Sequence, residues 1–377
     1  MQGAFMVNGL SDTSSRHVRS AHANGADGAS GATSLTRRRF GAALLAVAVT
    51  ATLAAPPARA QSAPPAVVDF DWVDPARSRP VPARLHWPAD VAPGSRVPLI
   101  VFSHGLGGSR RGYSYLGRYW SARGVASLHV QHAGSDSSLW AGNPLAVVDR
   151  LQRAARESEA LARALDLRFA LDRMLSSPHG AHVDRRRIMA AGHSYGANTA
   201  LVAVGARVMR DGKWVEARDP RFAAAIVISA PPFYGEPDLA SVLSRITVPT
   251  LHVTATKDVI QIPGYYSPAA DRLEVFNAIA TPRKLLAVFE GGSHSIFTDR
   301  SFTGGPALNP KVKLATAELT LAFLDLVFDG NGATLARWNV TWQPMLASAP
   351  GAAPSPLPVA QSRRVAQGVA TGLVPSP

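Results

Sequence analysis

The sequence predicts the α/β class: a mostly parallel, eight-stranded, doubly wound sheet with helices on both faces. Three observations predict it. Short continuous apolar runs recur from residue 98 onward, helical patterns alternate with them, and an alternating hairpin pattern precedes them. Runs of four to six apolar residues suit strands buried on both faces of a parallel sheet. Strand and helix in alternation require crossover connections, which cover both faces of the sheet.

Taken in order, Val67–Val73 and Pro80–Trp87 alternate partially around a Pro-bearing turn and predict an antiparallel edge pair. Pro98–Phe102, Val125–Val130, Arg187–Ala191, Ala223–Ser229, Thr250–Thr254 and Lys284–Phe289 are the six buried strands. Helical patterns occupy Tyr113–Ala122, a long stretch Leu145–Leu175, Gly196–Val208 and Asn309–Phe328. With 46% apolar and 17% charged residues, 377 residues can bury a large core. One domain over 61–346 is expected.

The flanks read differently. Thr36-Arg37-Arg38-Arg39-Phe40 precedes the charge-free stretch Gly41–Ala55 and then Ala58-Arg59-Ala60. A basic stretch, a short apolar stretch and an Ala-x-Ala site make residues 1–60 a cleavable signal with a long leading region, of the twin-arginine export type. Export to the periplasm or beyond, with a mature chain from Gln61, is the expectation. Fifteen weakly hydrophobic residues fall short of the roughly 20 that span a bilayer as an anchor. The start codon stays open between Met1, Met6 and a later one. From Ala347 to Pro377 the chain is rich in Ala, Pro, Ser and Gly and is expected to be disordered.

The absence of cysteine excludes a disulfide framework, a thiol nucleophile and thiolate metal sites. Residues 1–60 hold six Arg against Asp12 and Asp27, so the net charge of +13 falls to +9 without them. Such a surplus suits transient contact with anionic lipid or envelope polymers. An Arg- and Ala-rich residue usage of the kind genome base bias produces explains it better, since only five of the 39 basic residues are Lys and the arginines are spread along the chain. Nucleic-acid binding is not expected, because no basic stripe interleaves with aromatics.

Within this frame, Gly192-His193-Ser194-Tyr195-Gly196 sits directly after the strand Arg187–Ala191 and directly before a helical stretch. A Gly-x-Ser-x-Gly pentapeptide alone is weak; at a strand-turn-helix junction it is the nucleophile turn of the α/β-hydrolase fold. Ser194 is therefore the candidate nucleophile. A serine hydroxyl needs a base, and the base an acid, which in this fold follow in chain order on later strand ends. Asp258, after Thr250–Thr254, and His294, after Lys284–Phe289, occupy those places. Asp238 and Asp271 lie in the same half of the chain but end no strand. The developing oxyanion calls for backbone N–H donors, one from Tyr195 and one from Leu106 in the loop Ser103-His104-Gly105-Leu106-Gly107-Gly108. His104 is expected to brace that loop. After the fourth strand, Trp140 is a candidate wall of the acyl site, joined by Tyr265 and Tyr266 after Asp258; Asp136 reads as a turn or helix-start residue.

The stretch Val101–Gly108, together with Gly192–Gly196, resembles the platelet-activating-factor acetylhydrolase branch of the α/β-hydrolases, which also holds bacterial proteins labelled predicted dienelactone hydrolases. The likeness runs from Leu99 to Phe297. It implies ester hydrolysis through an acyl-enzyme, an oxyanion hole at Leu106 and Tyr195, and no metal or organic cofactor. Exported polyester and cutinase-like hydrolases resemble it more distantly. True dienelactone hydrolases use cysteine, which this chain lacks, and no helix here matches the membrane-docking helix of lipid-acting members. Three readings follow: a carboxylesterase for short-acyl lipid, small-ester or polyester substrates; a peptidase or thioesterase on the same scaffold; or a non-catalytic binding module that kept the fold.

Overall fold

A computed structural model of the chain describes residues 66–347, apart from 90, 156, 237, 263 and 264. The expected export signal and all of the expected tail beyond Ala347 lie outside these residues.

Eight strands form one sheet: β1 (Ala66–Asp74), β2 (Arg79–Trp87), β3 (Val97–Ser103), β4 (Ala126–Val130), β5 (Val183–His193), β6 (Ala224–Ile228), β7 (Thr250–Lys257) and β8 (Lys284–Ser293). Their order is β1-β2-β4-β3-β5-β6-β7-β8. The β1–β2 hairpin is antiparallel, with Ala66 opposite Trp87, and β2 meets β4 antiparallel. Every later pairing is parallel. The expected sheet, including its antiparallel first pair, is the one observed.

Side-chain alternation explains why β3 reads as unbroken apolar sequence. Leu99 and Val101 join one core, with Leu167 and Leu171 of helix α3 (Glu157–Leu175) and most of helix α4 (Tyr195–Val204). Ile100 and Phe102 join the opposite core, with Trp120 of α1 (Ser114–Ser121) and Val312 and Phe323 of α7 (Gly305–Asp329). Both faces of the strand are thus dry.

Two helical stretches differ from expectation. Leu145–Leu175 breaks into a short 3₁₀ turn, α2 (Val147–Ala154) and α3. The halves bury against different partners: Leu151 and Ala154 pack on Leu139, whereas α3 packs on the sheet, so one straight axis cannot serve both. The predicted helix Gly196–Val208 stops at Val204, because Gly205 takes φ 131° and the chain turns back. A hairpin follows, Arg207–Arg210 with Lys213–Glu216. A second small hairpin pairs Ile260–Ile262 with Tyr265–Ser267. Short helices α5 (Leu239–Leu243), α6 (Ala270–Ala278) and α8 (Ala333–Trp342) complete the described residues. Beside β8, Leu346 bridges Phe289 and the Ala347 N–H donates to the Val288 carbonyl at 2.8 Å. No described helix is long and apolar enough to cross a membrane.

Candidate active site

Ser194 occupies the turn between β5 and α4 at φ 56°, ψ −126°. A non-glycine residue held there stores about 1–3 kcal/mol, which only a tightly determined surround sustains. The surround is backbone. A Cβ at Gly192 would lie 2.1 Å from the Gly196 carbonyl oxygen, and one at Gly196 2.0 Å from that of Ser103. Both glycines are needed for close approach, and the turn lifts the Ser194 side chain clear of the sheet.

His294 and Asp258 come to the serine from the ends of β8 and β7. The His294 Nε2 stands 2.9 Å from Ser194 Oγ, and its Nδ1 2.7 Å from Asp258 Oδ1. An ionised carboxylate only accepts, so Nδ1–H donates to Asp258 and Nε2 is left to accept from the serine. The second Asp258 oxygen accepts from the Ser229 hydroxyl and from Thr254 Oγ1 at 2.7 Å. Burial of Asp258 opposes its charge, yet His294, Arg272 on α6 (Nε to Oδ1 3.6 Å) and Ser229 outweigh it, and the pKa falls below the ordinary carboxylate value. The two other aspartates do local work: Asp238 caps α5 through the Ser241 N–H, and Asp271 accepts from Ser267.

The glycine-rich loop stands opposite. The Leu106 N–H makes no hydrogen bond among the described residues, so it is available to an incoming oxygen. Tyr195 opens α4, where the helix's first N–H groups point past its end. The His104 ring braces the loop by donating from Nδ1 to the Gly105 carbonyl (2.7 Å) and accepting at Nε2 from the His132 N–H (3.1 Å). The loop, the Ser194 turn and His294 are also tied together. Gly105 N–H donates to the Tyr113 hydroxyl, which donates to His193 Nδ1 at 2.8 Å, while His193 Nε2–H donates to the His294 carbonyl at 3.0 Å. Burial, then the neighbouring His294, pull the His193 pKa down to about 3, so its ring stays neutral and fixed in this role.

Beneath the loop lies a polar cluster that sequence reasoning missed. Ser103 Oγ is 2.9 Å from His132 Nε2, and His132 Nδ1 is 3.0 Å from Asp166 Oδ2. Asp166 also pairs with Arg79 and Arg77. The fully buried Arg163 donates to Ser103, Ser135, Thr199 and the His104 carbonyl, and its guanidinium lies 4.5 Å from the Tyr195 ring centroid. Burial draws the Arg163 pKa down to about 10, still charged at neutral pH. Glu159, Arg163 and Asp166 sit at spacings of four and three on the stripe that α3 buries, alongside Ala170 and Met174. Charge on an apolar stripe was the available signal.

Two cavities meet at Ser194. One, about 110 Å³, is narrow and mostly apolar, with Leu106, Val202, Phe233, Ile260 and Tyr265 on its wall. The other, about 530 Å³, is an open cleft bordered by Gly107, Trp140, Gln261, His294 and Arg300. Trp140 borders the open cleft, half-exposed, with Nε1–H on the Gly107 carbonyl at 2.9 Å. Tyr265 lines the narrow cavity. Tyr266 lines neither and is 62% exposed, because adjacent residues of a strand point to opposite sides. Asp136 accepts from the Ser138 N–H and starts a 3₁₀ turn. Among the described residues no cluster of His, Asp and Glu could hold a metal ion.

Comparison with solved structures gives the fold its place. Ferulic acid esterase from Streptomyces cinnamoneus superposes with a TM-score of 0.54 at 24% identity, over 75% of this chain and 94% of that one. This chain has the α/β-hydrolase fold. Within that fold, the family profile for platelet-activating factor acetylhydrolase, isoform II, matches residues 79–142, which span the glycine-rich loop and end before Ser194. The platelet-activating factor acetylhydrolase of Cavia porcellus is 24% identical over 293 residues, 68% of this chain and 59% of its own. That of Bos taurus is 26% identical over 259 residues, 57% and 51%. The chain thus spans between half and three fifths of the length of these relatives.

Proposed function

We propose that this chain is a serine hydrolase of carboxylic esters that works through an acyl-enzyme on Ser194. The observation that carries the reading is the unbroken hydrogen-bonded line Ser194–His294–Asp258 at the meeting point of two cavities. His294 Nε2 takes the proton as Ser194 Oγ attacks the ester carbonyl. The Leu106 and Tyr195 N–H groups meet the oxyanion, a contribution of about 2.7–4 kcal/mol per donor in comparable sites. His294 returns the proton to the leaving alcohol, then activates a water that releases the acid by the same steps. Asp258 holds the imidazole tautomer and stabilises its cation.

The dimensions support a division of the substrate, with the acyl group in the narrow apolar cavity and the alcohol in the open cleft. Short-acyl lipids, small esters and polyester ends all suit that division. The names of the relatives, acetylhydrolases, and of the superposed esterase agree with ester chemistry. On the reading of residues 1–60 as a twin-arginine signal, the enzyme acts in the periplasm or outside the cell.

A fluorophosphonate probe is expected to label the chain, and Ser194→Ala to abolish labelling and lower kcat on p-nitrophenyl esters by about 10⁵–10⁶. Full esterase activity in Ser194→Ala would defeat the reading.

A further inference from the structure

The narrow cavity runs along one face of α4, where Tyr195, Asn198, Thr199 and Val202 line it at helical spacing. Several polar groups on its wall are already engaged. Thr199 Oγ1 donates to the Tyr195 carbonyl and accepts from Arg163. Glu236 accepts from the Met209 N–H and pairs with Arg210 at 3.3 Å, so the positive charge there is neutralised and an anionic chain end gains little. Asn198 is different. It is 8% exposed, its Oδ1 is buried without a hydrogen-bond partner, and its side chain makes no hydrogen bond among the described residues. A buried amide oxygen beside apolar walls calls for a donor to complete it.

We propose that this cavity is an acyl site for hydroxyacyl groups, with the substrate hydroxyl bound by Asn198. The proposal rests on the esterase reading and deepens it. Asn198 lies four residues beyond Ser194 on the same helix face, about 6 Å along the axis, and helical side chains lean back toward the N-terminus. An acyl chain that starts from its carbonyl carbon on Ser194 Oγ therefore passes the amide at roughly its third to fifth carbon. A hydroxyl both donates and accepts, so it pairs with either end of the amide. An unsubstituted acyl chain in the same place leaves the amide unsatisfied, which is how a site discriminates against the analogue that lacks the group.

The test follows ethyl hexanoate, ethyl 3-hydroxyhexanoate and ethyl 5-hydroxyhexanoate by pH-stat titration with the full chain. For at least one hydroxy ester, kcat/KM is expected to exceed that of hexanoate by about tenfold. Within Asn198→Leu the ratio is expected to fall to about one, while Asn198→Asp, isosteric and still an acceptor, keeps it above one. The ratio within each variant does not depend on how much of it folds. Equal rates on all three esters in the wild type, or a ratio that survives Asn198→Leu, overturn the proposal and leave the esterase reading standing. Failure to cleave any of the three, or p-nitrophenyl acetate, removes the esterase reading and this inference with it.

Discussion

In the relay Ser194–His294–Asp258 the histidine lies 2.9 Å from its serine and 2.7 Å from its aspartate; in Ser103–His132–Asp166 the same distances are 2.9 and 3.0 Å. Residue types and order are the same, and their surroundings are opposite. Ser103, His132 and Asp166 are wholly buried, Ser103 ends a regular strand, and Arg163 occupies the serine oxygen that a nucleophile would use. Ser194 stands on a positive-φ turn between two cavities, and the His294 side chain keeps 18% of its exposure. Hydrogen-bond order alone therefore does not make a nucleophile. Access, a turn that presents the hydroxyl, and nearby N–H donors separate the proposed catalytic relay from a strut, and the buried one holds the glycine-rich loop from below.

Breaking each relay at its acid should separate the roles. Asp258→Asn is expected to lower kcat by about 10⁴ through the wrong imidazole tautomer, read in steady-state ester hydrolysis with the folded fraction counted by fluorophosphonate titration. Acidification acts on the buried histidines, His132 of the other relay and His104 above it as well as His86, His129, His193 and His252. Burial holds His132 and His104 neutral, with pKa values well below 6.5. The unfolded chain takes up protons at both below about pH 6.5 and the folded chain does not, so their contribution is whole above that pH and declines below it. The unfolding free energy from urea titration should fall below about pH 6.5 by up to about 1.4 kcal/mol per pH unit for each such ring. Asp166→Asn strips Arg79 and Arg77 of a shared partner. It should cost about 3 kcal/mol in urea unfolding while changing kcat per titrated site by less than tenfold. The smallest effect is expected for Tyr113→Phe, which unties Gly105 from His193. A loss of about 1 kcal/mol, fivefold in kcat/KM with KM little changed, would place that tie in the service of the transition state.

How much of this was legible in the sequence depended on how local the cause was. Strands β3 and β6 read most clearly, because burial on both faces leaves almost no polar residue to interrupt them. The order Ser194, Asp258, His294 was readable because the fold sets each at the end of a later strand, and the structure brings the three within hydrogen-bond distance. The hairpin after α4 was also signalled, by Asp211-Gly212, both at positive φ, a turn pair that ordinarily joins strands; the apolar residues up to Val208 drew the helix past it. Arg272 carried no local signal. Its importance comes from contact with Asp258, 14 residues away and on another element. The buried relay is a similar case, since Ser103, His132 and Asp166 meet only once β3, β4 and α3 are stacked.

The short bridge between Leu346 and Phe289 has a consequence at the rim of the sheet. A parallel sheet ends in two rows of unpaired amides and carbonyls, each an invitation to a further strand from another copy. At β1 the invitation is spoiled by ion pairs, Asp69 with Arg84 and Asp71 with Arg110. At β8 it is answered in part from within, because the chain returns and pairs with Val288 and Phe289. Leu346 and Ala347 act as a stopper: they keep an eight-stranded sheet from counting to nine.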